Sequence, residues 1–543
     1  MFTFFAPLHR GLKPEVQSIE VWTSLAIPSF RVVGLPGPEI IESCERVRAA
    51  IETSGMEFPR RRVLVNLSPA GVKKQGTGTD LAIALAVMAT SFEKERKSTL
   101  ETRCFIASGE LALNGSVRSA GRVLRACRAA LEHGISELIL ARADEPQASR
   151  ALQLLGMPNL KIHLIEHLSE APLLFDSSSN TPGSPLQQHP LETEQAPSID
   201  LLPLEPDLER TLAVAASGAH HLLLIGPKGT GKTAALKWLQ ALRSTISTQE
   251  LLDRLSLEEL SEPHTPLIIR QAPIRVVSPQ IRPEALIGGV SRGELRPGEL
   301  SQADGGTLIA DEFLEWPRDS RECLREPLES GRVHLVRAQS HFELPARFQL
   351  AASANLCRCG GWPKGLGSRH STGRAEAPQY CRCPDYSRDE YLERLSGPIL
   401  DRIDLVKLVT QTPQARFASA AIPLADKTQR TRELLLKTWG ALPGRLTGSD
   451  LEAIIRSDPA IEVGWRSVRR AREVSLRRRH KEIRVGLTLA AWDHPEHHPG
   501  PPSRPEKRHF EEASRSSTDD WMSCLRKTEF RSRPINAPQR QTL

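Results

Sequence analysis

The stretch HLLLIGPKGTGKT sets Gly226, Pro227, Lys228, Gly229, Thr230, Gly231, Lys232 and Thr233 between a short apolar run and a helix-forming one. Glycines at this spacing let the backbone curl so that successive N–H groups point at phosphate oxygens, and the following helix adds its partial positive charge. Lys232 then reaches the β- and γ-phosphates, and the Thr233 hydroxyl holds Mg²⁺. A second stretch, GTLIADEFLEW, ends an apolar run in two adjacent carboxylates, Asp311 and Glu312. Beside a phosphate loop, Asp311 would hold the Mg²⁺ water shell, and Glu312 would orient or deprotonate an attacking water. These residues predict ATP and Mg²⁺ as ligands and hydrolysis as the reaction. An N-cap role for Asp311 is the plainer alternative, but it leaves Glu312 unexplained.

Two more polar residues follow apolar runs. RFQLAASAN ends in Asn355, placed to hold a catalytic water near the γ-phosphate. LSGPILDRIDL contains Arg402 between acids. In a ring, an arginine there reaches the next subunit's nucleotide and stabilises transition-state charge. Local pairing with Asp401 or Asp404 is the alternative.

Four of the nine cysteines cluster as two Cys-Arg-Cys triplets, Cys357 with Cys359 and Cys381 with Cys383. Four thiolates close the tetrahedron of a structural Zn²⁺, although this spacing is tighter than that of a standard finger. Reduced cysteines in a surface loop are the equal alternative. An odd cysteine count argues against a disulfide framework, and MFTFFAPLHR lacks the basic lead of a signal peptide. The longest apolar stretch, Leu81–Ala89, is too short to span a bilayer. The expectation is a cytoplasmic protein with no membrane partner.

The elements that must carry these residues are α/β in pattern. Strand-like and helix-like runs alternate over residues 1–175, with a buried helix at LAIALAVMA and helices stopped at Gly55 and Gly134. Residues 176–200, rich in Ser, Pro and Gln, read as a linker. Strand–helix alternation resumes over 201–415, interrupted by a Cys-rich insertion at 357–383, and predicts a P-loop core with a parallel sheet. Residues 416–490 read as a helical segment, which the resemblance below makes a lid, and 491–543 as a disordered or diverged tail. From Arg466 to the end there are 18 Lys and Arg against 10 Asp and Glu, while the whole chain carries only +7. That end points to a polyanion such as DNA, with a solvated tail as the even alternative.

Together the motifs resemble the Mg-chelatase-like AAA+ ATPases of the YifB/ComM type. The resemblance covers most of residues 1–475. Its carriers include FRVVGLPGPEIIESCERVRAAIETSG, GELALNGSVRSAGRVLRACRAALEHG, GPKGTGKT, LIGGVSRGELRPGELSQADGGTLIADEFLEW, SANLCRCG and LSGPILDRID. It implies an N-terminal domain with the fold of the Lon proteolytic domain, a AAA+ core, a helical lid and a hexameric ring of identical chains. It also implies work on DNA, namely branch migration of recombination intermediates in natural transformation. Lys232 and Thr233 then correspond to Walker A, Asp311 and Glu312 to Walker B, Asn355 to sensor 1 and Arg402 to the arginine finger. Hairpins in this family face the pore, so Arg337 in GRVHLVRAQSHFELPARF is a DNA contact, with Arg292 and Arg296 beside it. Solvated hairpin charge is the alternative. The chain departs from the family loop GPPGTGKT by placing Lys228 where the second proline stands. A protease reading fails on residue type, because the nucleophile and base positions fall near Gly78 and Ala126. Two other readings stay open: a motor that remodels a protein partner, and a diverged, inactive paralogue.

Overall fold

Strands form in the N-terminal part where β-branched and aromatic residues alternate. A computed structural model of the chain describes residues 2–8, 12–69, 78–95, 103–175, 183–184, 186–192, 203–242, 246–268, 271–291, 294–337, 340–361, 381–409, 421–468, 474–495 and 504–516. The N-terminal strands are β1 (Phe2–Leu8), β2 (Glu15–Ser24), β3 (Ser29–Val33), β4 (Arg62–Ser68), β5 (Arg103–Ser108), the short pair β6 (Glu110–Leu111) and β7 (Val117–Arg118), β8 (Glu137–Ala141) and β9 (Lys161–Ile165). A seven-stranded mixed sheet runs β3-β4-β2-β1-β5-β8-β9. The helix Asp80–Glu95 is apolar all round its first turns, and Leu81 to Ala89 are all buried on the sheet. Each large side chain among them contributes about 1.5–3 kcal/mol by leaving water. The helix Val123–Glu132 stops where Gly134, at φ 64°, lets the Ile135 N–H turn back to the Ala130 carbonyl.

The second sheet joins β10 (Leu222–Ile225), β11 (Ile274–Val277), β14 (Thr307–Ala310), β17 (Gln349–Ala354) and β18 (Leu405–Leu408) in the order β11-β14-β17-β10-β18, every pair parallel. Between them lie two hairpins, β12 (Gly288–Ser291) with β13 (Glu294–Pro297), and β15 (Arg332–Arg337) with β16 (Ser340–Pro345). Strands β10, β14 and β17 are buried at every residue, as predominantly apolar strands covered on both faces should be. Their carboxyl ends lie side by side, which is where open parallel sheets present a binding crevice.

Helix Thr248–Ser261 belongs to both halves. Its Leu251, Leu252 and Leu255 share a core with Ile106, Val123 and Leu138 of the first sheet's layer. Its Leu257 and Leu260 share a core with Leu308 and Leu350 of the second. The buried Glu259 accepts from the Leu124 and Arg125 N–H groups at 3.0 and 3.1 Å, capping helix Val123–Glu132 from across the interface. Burial pushes the Glu259 carboxyl up to about 7 against these bonds and the nearby Arg125.

Two stretches differ from the sequence reading. Residues 186–192 of the expected linker lie against helix Glu145–Leu155: the Gln187 N–H donates to Glu145 at 3.0 Å, and Leu186 and Leu191 pack on the core. In the expected tail, helix Lys507–Arg515 buries His509, Phe510 and Ala513 against helices Pro459–Val468 and Leu476–Trp492, and Arg210 joins Glu512 and Asp493 at 2.9 and 3.0 Å. Composition had suggested disorder. A few apolar residues on one face are enough to dock a short helix where a surface waits for them. Among the described residues, no helix is long and apolar enough to cross a membrane.

Candidate functional site

The loop after β10 has the backbone that its glycines allow. Gly229 and Gly231 sit at φ 81° and 85°, the left-handed region that other residues avoid. Helix Lys232–Ala241 starts directly behind them. Lys232 is buried, and its Nζ donates to the Gly226 and Pro227 carbonyls at 2.9 and 2.6 Å and to Asn355 Oδ1 at 3.0 Å. All three ammonium protons are thus used within the loop and its neighbour. Burial pushes the Lys232 pKa down to about 8, while the Asp311 and Glu312 carboxylates resist the shift. A dianionic phosphate in the loop would offer this lysine better acceptors than neutral carbonyls.

Strand β14 ends at Ala310 and delivers Asp311, whose Oδ2 accepts from Thr233 Oγ1 at 2.8 Å. A hydroxyl and a carboxylate this close fit Mg²⁺, a hard cation that takes oxygen ligands and keeps several waters. Glu312 follows at φ 49°, ψ 44°, a left-handed conformation that costs a non-glycine residue about 1–3 kcal/mol. The twist leaves Glu312 exposed, and Asp311 facing the loop. Ser353, on neighbouring β17, supports the turn: its Oγ donates to Asp311 Oδ1 and accepts the Glu312 N–H at 3.0 Å. Sequence reasoning passed over Ser353. A lone hydroxyl in the apolar run Leu350–Ala354 was its only signal.

The structure therefore brings Lys232, Thr233, Asp311, Glu312 and Asn355 together and keeps Arg402 apart. Arg402 precedes β18, which pairs with β10 as Leu222↔Leu405 to Ile225↔Leu408. The loop leaves the far end of β10, so a four-residue strand, about 13 Å, separates the two. Arg402 pairs with Glu329 and donates to the Pro398 carbonyl at 2.6 Å, rather than pairing with either flanking acid. Asp401 instead faces Arg477 at 3.9 Å. Asp404 is fully buried and accepts the His221 N–H at 3.1 Å. Burial alone would raise its carboxyl, but His220 and His221 hold it down to about 2. Lys481, from helix Leu476–Trp492, donates to the carbonyls of Leu400 and Ile403 at 3.3 and 3.2 Å and so fixes the turn that carries Arg402. Arg402 opens onto a cleft of about 1150 Å³ lined also by Glu329, Arg445, Arg477, Lys481 and Arg484.

Of the three hairpin arginines, Arg296 is exposed on β13 and Arg337 ends β15 opposite Ser340. Arg292 lies outside the described residues. Gly78 faces Ala120 and Ser108, and Ala126 is fully buried, so neither position of the protease pair carries a reactive side chain. The sulfur atoms of Cys357, Cys359, Cys381 and Cys383 all lie within 4.8 Å of one another.

Residues 205–417 match the family model described as magnesium chelatase, subunit ChlI, and residues 19–144 match subunit ChlI of Mg-chelatase. The competence protein ComM of Haemophilus influenzae is 29% identical, over 88% of this chain and 91% of its own. The uncharacterised protein YifB of Salmonella typhimurium is 35% identical, over 89% of each. The chain belongs to the magnesium-chelatase-like family of ComM and YifB. A Lon protease of Ureaplasma parvum is also similar, at 27% identity over 22% of this chain and 14% of its own. Membership in the ComM and YifB family implies an ATPase that takes ATP and Mg²⁺, and the mixed α/β structure with its parallel sheet accords with it.

Proposed function

We propose that this chain is an ATP-hydrolysing AAA+ motor that works on DNA as a ring of identical subunits, most simply six, and drives branch migration of recombination intermediates in natural transformation. The observation that carries the ATPase part is the bond from Thr233 to Asp311 beside the buried Lys232. Lys232 exchanges its carbonyl partners for β- and γ-phosphate oxygens. Thr233 and Asp311 hold the Mg²⁺ that neutralises phosphate charge. Glu312 takes a proton from the attacking water, which Asn355 positions.

The position of Arg402 supports ring assembly. This arginine stands at the opposite edge of the sheet from its own phosphate loop, so it serves a neighbour's nucleotide. The DNA part rests on the likeness to a competence protein and on the basic residues from Arg466 onwards. Strands β12 and β15 of the two hairpins touch, which favours one DNA path for Arg337 and Arg296, and Arg292 is assigned to it from the sequence alone. In this reading residues 1–175 form a Lon-like domain without proteolytic chemistry, and residues 416–490 form the lid.

ATPase assays with forked and four-way DNA, at low and moderate salt, test the reading. DNA should stimulate turnover, and stimulation should fall steeply with salt as Lys and Arg contacts to phosphate are lost. A ring that hydrolyses ATP at one rate with every DNA would transfer the assignment to protein remodelling.

A further inference from the structure

We propose that Cys357, Cys359, Cys381 and Cys383 hold one Zn²⁺ ion, and that the knuckle it closes fixes the shape of the phosphate loop. The sulfur geometry comes first. Around Zn²⁺ with Zn–S bonds of about 2.3 Å, the edges of a regular tetrahedron are about 3.8 Å. Cys357 lies 3.6 Å from Cys359 and 3.1 Å from Cys381, and Cys359 lies 3.5 Å from Cys381, all as free thiols. The Gly361 N–H also points at the Cys359 sulfur at 3.4 Å, a contact that stabilises a bound thiolate. Arg358 and Arg382 stand exposed between the cysteines of each pair, where they offset the two negative charges of a zinc tetrathiolate.

The coupling rests on where this knuckle sits. It begins two residues beyond Asn355, at the end of β17, and its turn reaches the loop itself. The Gly360 N–H donates to the Cys357 carbonyl at 2.9 Å, and the Gly360 carbonyl accepts the Lys228 N–H at 2.8 Å. Gly360 lies at φ 76°, and a Cβ there would come within 2.7 Å of the Lys228 Cβ, so the approach requires glycine. The short segment from Asn355 to Gly360 therefore grips the loop twice, at Lys232 and at Lys228. Between these grips the loop carries Gly229 and Gly231, the residues with most conformational freedom to lose. A metal that closes the knuckle would hold the loop in its phosphate-binding shape before nucleotide arrives. Zinc binding releases the thiol protons and leaves no other product.

The effect on nucleotide rests on the ATPase reading, so the test includes a readout that does not. Full-length protein prepared in reductant without chelators should carry about one Zn²⁺ per chain by elemental analysis. Hydrogen exchange of the peptide covering 226–233 should then be followed with metal, after mercurial and chelator treatment, and after Zn²⁺ is restored. Exchange at Lys228 should rise about fivefold or more on metal loss, the net worth of one backbone hydrogen bond, and fall again on reloading. ADP binding should weaken and recover in parallel. Lys228→Pro, which removes the N–H donor together with the lysine side chain, should keep its zinc, and its ADP affinity should no longer change when zinc is lost; Lys228→Ala, which keeps the N–H, should respond to zinc as the parent does. Absence of zinc, iron in its place, or unchanged exchange on metal loss each overturns the proposal. If exchange responds but no nucleotide binds in any state, the coupling stands and the ATPase reading fails.

Discussion

The two edges of the parallel sheet carry chemistry of different kinds. At the carboxyl edge, Lys232 is bonded to Asn355, and Asp311 to Thr233 and Ser353. At the amino edge, Arg402 is tied to Glu329 and opens onto a cleft. Under the proposed function, one edge holds the residues that bind nucleotide and the other an arginine that would complete a neighbour's site. The length of the strands keeps the two apart within one chain, and a ring would bring one against the other.

The sharpest way to break this comparison is Arg402→Ala. It should leave nucleotide affinity intact and cut turnover by about 10³–10⁵. Mixed with Lys232→Ala subunits, it should regain part of the hydrolysis, because some interfaces pair an intact loop with an intact arginine. A monomer with full activity would end the shared-site reading. Glu312→Gln comes next, with turnover reduced roughly 10²–10⁴ and ATP still bound. Hydrolysis at the parent rate would remove Glu312 from the mechanism.

Proton linkage sharpens the carboxyl edge further. Free Lys232 loses its proton near pH 8, because burial depresses it. A bound phosphate favours the charged form, so nucleotide binding should take up almost no proton at pH 7 and a substantial fraction of one at pH 8.5, and affinity should fall as pH rises through 8. Calorimetry in buffers of different ionisation enthalpy measures the uptake, and equal uptake at both pH values would refute it. The smallest effect belongs to Glu329→Gln. Its pair with Arg402 is half exposed on the glutamate side, so it is worth up to about 1 kcal/mol. Releasing the arginine should lower the concentration for half-assembly by no more than about fivefold in sedimentation, and a larger loss of assembly would mean that Glu329 belongs to the interface.

What could be read from the sequence was whatever the chemistry forces into one short run. A phosphate loop must be continuous backbone, so GPKGTGKT is legible at sight. The two acids of LIADE must be adjacent at a strand end, so they are legible too. Ser353 was not, because its role comes from β17 lying beside β14, a pairing of residues far apart in the chain. The Glu329 partner of Arg402 escaped for the same reason, and the flanking acids offered a closer but mistaken choice. The cysteines suggested a metal by type alone, while the contact between Gly360 and Lys228 needed the folded chain. Helix Thr248–Ser261 was missed because leucines at 251, 252, 255, 257 and 260 mark it as buried without saying against what.

That helix has a consequence for how the molecule can be taken apart. A cut in the stretch after Phe175 separates the chain into two lengths of sequence, but not into two complete folding units. The first length would be left with an open apolar face where Leu251, Leu252 and Leu255 had been, and with the amides of Leu124 and Arg125 stripped of their carboxylate. The second would carry leucines with nothing to cover them. Each fragment made alone should be sticky, and the two mixed should find each other. If the chain works as the proposed ring, the same splint would make the N-terminal half a fixed arm rather than a passenger on a tether.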